Sequence, residues 1–210
     1  MGRAGRTPRG LATRARIVDA ATRRFVDDGY LATTIADIAR DAGISAQAVY
    51  LAFGSKAAVL SAAFDTATRG QDDCPGWEEE IERQPDAARA LDLALDYALE
   101  GIERTGPIHE VCRAAAADAE VGAVLTAVAR RRMTFWQERT HLLSAQGGFR
   151  PGLTVGRARD ALYTVVGYEP WRALTRECGW TVAEWRDFVR HGARAHVLAD
   201  VAAVAGPWPG

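Results

Sequence analysis

Residues Thr34 to Leu60 read TIADIARDAGISAQAVYLAFGSKAAVL. The apolar residues recur at helical spacing: Ile35, Ile38, Ala39 and Ala42 in a first short segment, Val49 and Phe53 in a second, Val59 and Leu60 in a third. Thr33 or Thr34 can cap the first, Ser45 the second and Ser55 the third, because their side-chain oxygens accept from amides that have no partner inside a helix. Gly43 falls where a left-handed turn needs a residue without a Cβ. Ala39 is small enough for two helices to cross closely, and Ile38, Ile44 and Val49 fill the angle between them. Two short helices joined this way suggest a helix-turn-helix, although any helical bundle can contain a short hairpin.

Upstream, Ile17, Ala20, Ala21 and Phe25 form one stripe of a helix expected over residues 13–28, ended by Gly29. Charge singles out the same end. The chain holds 26 Lys+Arg and 27 Asp+Glu, a net charge of −1. Residues 1–70 carry 10 basic and 6 acidic side chains, a balance of +4, and the first 24 carry 7 Arg against 1 Asp. A basic end on a near-neutral chain points to a polyanion partner for that end, or to a solvated tail. Lys56, the only lysine, falls in the first turn of a helix capped by Ser55, where a cation costs the helix a few tenths of a kcal/mol. A phosphate would favour the same ammonium and exposed amides.

The stretch resembles the N-terminal signature of the TetR family of bacterial transcriptional regulators. The likeness covers residues 12 to 65, and Ile38, Ala39, Ala42, Gly43, Ser45, Val49, Tyr50, Phe53, Lys56 and Leu60 all agree. It departs at Gln47, where the family commonly has Gly, at Ala48 for a frequent Thr, and at Ala52 for a frequent His. Gln can read adenine and Ala can touch a thymine methyl, so these changes bear on which sequence is read rather than on docking. The resemblance implies that the third helix enters the major groove. Thr34, Tyr50 and Lys56 would then hold phosphates, while Ala46, Gln47, Ala48 and Leu51 face the bases and Ser45 caps the reader. Arg3, Arg6 and Arg9 would reach the adjacent minor groove.

The expected division is a flexible basic arm (1–11), the DNA-binding domain (12–69), a helical ligand-binding and dimerisation domain (70–205) and a tail (206–210). Residues 70–85, GQDDCPGWEEEIERQP, mark the boundary by their acidic, Pro- and Gly-punctuated composition. Beyond it, periodicity predicts a fifth helix around Leu91–Ile102 stopped by Gly106-Pro107, and a sixth over PIHEVCRAAAA. A seventh follows over 120–146, an eighth over 155–178 that Pro170 must kink or break, and a last one opening at Thr181 with a capping box. The fold class is therefore all-α.

By resemblance the second part dimerises and encloses a small-molecule effector. Tyr97, His109, Cys112, Trp136, Tyr163 and Tyr168 are the candidate pocket residues, being aromatic or polar on largely buried segments. The last two helices, with Trp171, Leu174, Trp185, Phe188 and Val189 beside Gly192, Ala193 and Ala195, are the dimer candidates. A homodimer would read a palindromic operator in double-stranded DNA.

Other classes fare worse. The cysteines Cys74, Cys112 and Cys178 are odd in number and far apart, which argues against a disulfide framework and for a reducing cytoplasm. VGAVLTAVA, 121–129, is too short to cross a bilayer, and the basic N-terminus has no apolar segment behind it. His109 and Cys112 share a helix face at i and i+3, so a nucleophile pair or half a metal site has to be weighed. HEVCR fails the HExxH pattern at Arg113, and no further ligand lies nearby. His191 and His196 do not share a face. Neither a metal nor a cofactor is expected, and the leading alternative is a helix-turn-helix protein that binds DNA without an effector.

Overall fold

The computed structural model describes residues 7–69 and 76–199, and every regular element among them is helical. Cys74, Arg3, Arg6 and the expected tail lie outside the described residues. The chain divides into two compact units, residues 1–72 with 104–128, and residues 73–103 with 129–210.

The first unit holds α1 (Pro8–Asp28), α2 (Ile35–Asp41), α3 (Ala46–Phe53) and α4 (Lys56–Arg69). α1 starts five residues before the expected Thr13. Thr7 Oγ1 accepts from the Gly10 amide at 3.2 Å and Pro8 occupies the first helical position, where its missing N–H costs nothing. Its core combines Ile17, Ala21 and Phe25 of α1, Ile38 of α2, Val49 of α3 and Val59, Leu60 and Phe64 of α4, all fully buried. Burial of each such large side chain contributes about 1.5–3 kcal/mol before chain entropy is charged against it. Ile108, Val111 and Cys112 of α6 (Ala87–Ala114) and Val121 and Val124 of α7 (Ala119–Ala145) complete the same core. The packing unit thus recruits residues 104–128, which lie far along the chain from the sequence signature.

α6 runs through Gly106-Pro107, where the spacing predicted a stop. Pro107 is on the exposed side, so its ring displaces no core, and buried residues on either side of it, Ile102 and Ile108, anchor the helix in spite of one missing backbone bond. The predicted fifth and sixth helices are one.

The second unit contains α5 (Trp77–Glu82), inside what composition marked as a boundary, with parts of α6 and α7, then α8 (Val155–Val165), α9 (Tyr168–Arg172) and α10 (Val182–Val197). The expected eighth helix is broken at Val166–Gly167, where Pro170 lacks the N–H that would bond the Val166 carbonyl four residues back, and after α9 it continues as a π-helical turn, Ala173–Glu177. Leu91, Leu95, Leu99, Trp136, Leu162, Trp185 and Val189 build the core. α10 is tied to α6 by a ladder in which Arg186, Arg190 and Arg194 pair with Glu103, Asp96 and Asp92; the first and third contacts measure 2.5 and 2.7 Å. Basic spacing of four on α10 against acidic spacing of seven and four on α6 brings the rows together in antiparallel order. Of the dimer candidates, Trp171, Trp185, Val189 and Ala193 are buried in this intrachain core.

Candidate nucleic-acid interface

Thr34 caps α2 with a reciprocal capping box. Its Oγ1 accepts from the Asp37 amide at 3.1 Å, and the Asp37 carboxylate accepts from the Thr34 amide at 3.2 Å and from its hydroxyl at 2.6 Å. These bonds from Thr34, then one from Arg40 at 2.6 Å, hold the Asp37 carboxyl down to about 2. The Thr34 hydroxyl and amide are therefore both engaged within the cap.

Gly43 turns the chain with φ +64°, and the Ser45 Oγ accepts from the Ala48 amide at 3.2 Å to open α3. Within α3, Val49 is fully buried and pins the helix to the core. The opposite side carries Gln47, Tyr50 and Leu51, all exposed, with Ala46 and Ala48 half-buried beside them. Leu51 is 83% exposed, an apolar side chain held in water on a helix of eight residues, which folding alone does not call for. At the far end of α3, Arg14 of α1 donates to the Ala52 carbonyl and lies over the Phe53 ring, 3.9 Å from its centroid. Sequence reasoning did not single out Arg14; the signal available was an arginine within reach of a short helix's C-terminus. Arg24 grips Asp41 through two bonds, 2.6 and 3.2 Å, and thereby fixes α1 to the end of α2.

Lys56 is half-buried at the start of α4. Its Nζ donates to the carbonyls of Tyr30 at 2.8 Å and Thr33 at 2.9 Å, and sits 4.1 Å from the centroid of the Tyr30 ring. Two of its three donors are thus given to the turn between α1 and α2, leaving one for an outside acceptor. Arg9, the member of the proposed arm that is described, is exposed in the first turn of α1.

The six candidate pocket residues fall into two groups. His109 and Cys112 belong to the first unit: the His109 ring meets Phe64 edge-on at 4.9 Å, and Cys112 is fully buried. Burial pushes the Cys112 thiol up to about 12, so it lacks the thiolate that a nucleophile or metal ligand needs. The other four belong to the second unit. Tyr97 stacks on Trp77 at 3.8 Å, Trp136 is fully buried against Phe135, Tyr163 lies under the Arg132 guanidinium at 4.0 Å, and Tyr168 leans on Trp171.

Near Tyr97 a cleft of 560 Å³ is lined by Glu78, Glu82, Glu138, Arg139 and Leu142. Arg139 is 4% exposed, and its Nε has no protein acceptor. The three glutamates approach its guanidinium only to 3.6–3.9 Å, while the faces of Trp77 and Phe135 flank it at 5.2 and 5.3 Å. Sequence patterning did not point to this arginine, because burial of a charged residue has no periodic signature.

Among the described residues no single helix is long and apolar enough to cross a membrane. The family model for bacterial regulatory proteins of the tetR family matches residues 17–63, from the middle of α1 to the middle of α4. The HTH-type transcriptional regulator TtgR of Pseudomonas putida is 44% identical over 54 residues, 26% of this chain and 26% of that protein, so the alignment spans about a quarter of its length. Among solved structures, NalD, the secondary repressor of the MexAB-OprM multidrug efflux pump in Pseudomonas aeruginosa, superimposes with a TM-score of 0.66 at 20% identity, covering 91% of this chain and 98% of that one. SmeT in complex with triclosan gives a TM-score of 0.69 at 21% identity, covering 95% and 100%. These two likenesses show a shared all-helical fold beyond the N-terminal match. Residues 17–63 are thus similar to the N-terminal part of bacterial regulatory proteins of the tetR family, and the chain shares the all-helical fold of NalD and SmeT.

Proposed function

We propose that the chain is a cytoplasmic repressor that binds a palindromic operator as a homodimer and leaves it when a small molecule binds. The observation that carries the DNA reading is the two-sidedness of α3, where Val49 is sealed in the core while Gln47, Tyr50 and Leu51 stand exposed. Residues 12–69 make the DNA contacts. Gln47 pairs with a base edge, Ala46, Ala48 and Leu51 meet thymine methyls, and Tyr50 and the remaining Lys56 donor meet phosphates. Thr34 acts at the phosphates through the helix end that it caps.

Effector binding and dimerisation fall in residues 70–205. The cleft at Arg139 supports an effector site there, since a buried guanidinium without a hydrogen-bonded acceptor is what an oxygen-bearing aromatic compound would complete. That NalD is a repressor and SmeT binds triclosan agrees with both halves of the proposal. For the dimer, α10 turns Trp185 and Val189 inward and keeps Gly192 and Ala195 exposed, a flat face on which a second α10 could pack closely.

The test is retention of fragments from the host genome by the purified chain, followed by challenge with hydrophobic small molecules. A discrete set of retained fragments, released by some compound, is expected. Retention of all fragments alike would defeat the operator reading, and specific retention that no compound relieves would favour an effector-free regulator.

A further inference from the structure

The turn between α1 and α2 is held from outside by two helices. Tyr30 is 2% exposed and packs against Phe25 at 5.5 Å between ring centroids. Its hydroxyl donates to Glu120 Oε2 at 3.2 Å, and Glu120 lies in the first turn of α7. Burial first, then the Glu120 charge, push the phenol well above its ordinary range, so it remains a donor. On its other side Tyr30 carries Lys56, which lies over its ring and bonds to its carbonyl and to that of Thr33. Thr33 is 1% exposed and donates back to the Gly29 carbonyl at 2.8 Å, and the next residue, Thr34, caps α2. A phenylalanine would fill the same apolar space. The hydroxyl adds only the bond to α7.

We propose that Tyr30 and Glu120 are positioning residues for DNA binding: through their bond the first turn of α7 fixes the turn that carries Lys56's acceptors and the Thr34 cap. This rests on the DNA-binding reading above. It gives a helix that supplies no base or phosphate contact control over how α2 and Lys56 meet the backbone of DNA.

The test uses the full-length chain as Tyr30→Phe, Glu120→Ala and the double variant, with two readouts. The first is amide exchange at residues 31–34 in the free protein. The second is affinity for a selected operator and its dependence on salt. Glu120 is exposed and the bond is long at 3.2 Å, so its loss counts nearer to that of a neutral bond and should speed exchange and weaken operator binding about 3- to 10-fold in either single variant. The double variant should be no worse than the singles, since both remove the same bond. The salt slope should match wild type because no phosphate contact is lost, which separates positioning from direct contact. Unchanged exchange, additive effects, or faster exchange with unaltered affinity would each overturn the proposal. If wild type bound no DNA sequence specifically, the operator reading would fail, while the exchange data would still decide whether the bond holds the turn.

Discussion

Replacing Lys56 by Ala removes two bonds to backbone carbonyls, 2.8 and 2.9 Å long, and an ammonium–ring contact at 4.1 Å. Bonds with a charged partner contribute about 1.5–3 kcal/mol each in mutational series, and a cation over an aromatic ring about 0.5–1 kcal/mol at exposed sites. These do not add in full. Lys56 is half-buried, so solvent screens part of each contribution, and the helix regains a few tenths of a kcal/mol when a cation leaves its first turn. A net loss of about 2 kcal/mol remains, or about 4–8 °C in the melting midpoint for a chain of this size. If the remaining N–H meets a phosphate, losing that contact lowers the slope of log affinity against log salt by about 0.9. Thermal unfolding, with titrations of operator and random duplex across about 50–200 mM salt, measures both effects. Both duplexes should weaken about equally. A variant that melts with wild type would refute the clamp, and altered sequence preference with an unchanged slope would refute the phosphate role.

Gln47→Ala should shift base preference at one operator position by about 1–3 kcal/mol and spare the salt slope, as selection with the variant would reveal. The Asp37 carboxyl is held at about 2, below its ordinary 3.8. Its share of stability is therefore complete above pH 4 and lost as pH falls through 2; Asp37→Asn should flatten unfolding across that window, and an identical acid profile would contradict the assignment. In the native chain at pH 8, an alkylating reagent should label exposed Cys178 and spare buried Cys112 until unfolding, and prompt modification of Cys112 would contradict its place in the core. A Cβ on Gly148 would stand 2.2 Å from the Ala87 Cβ, so Gly148→Ala should destabilise the chain by about 1–3 kcal/mol, and an unchanged denaturation midpoint would count against that close approach.

The helix-turn-helix was legible because its signals are local. Caps at Thr34 and Ser45, the turn at Gly43 and the buried period through Ile38, Val49 and Leu60 each fall within a few residues of what they control. Long-range effects were not legible. Nothing in the spacing around Lys56 announces that its ammonium folds back onto carbonyls 26 and 23 residues earlier, and Pro107 reads as a stop unless the cores on either side are known. The pocket candidates were chosen by residue type on buried segments. Type alone does not separate Cys112, sealed in the first unit, from Tyr97, stacked on Trp77 in the second. Arg139 escaped notice for the complementary reason, being a charged residue that is buried.

On the proposed function, the exposed face of α3 reads DNA in paired copies. Selection of bound sequences from random duplexes by the intact chain tests it most directly. The expected result is an inverted repeat whose half-sites are centred about one helical turn, 34–36 Å, or a multiple of it apart, with loss of enrichment when Gln47, Tyr50 and Leu51 are replaced together. Enriched sequences without symmetry, or enrichment that survives the triple replacement, would contradict it.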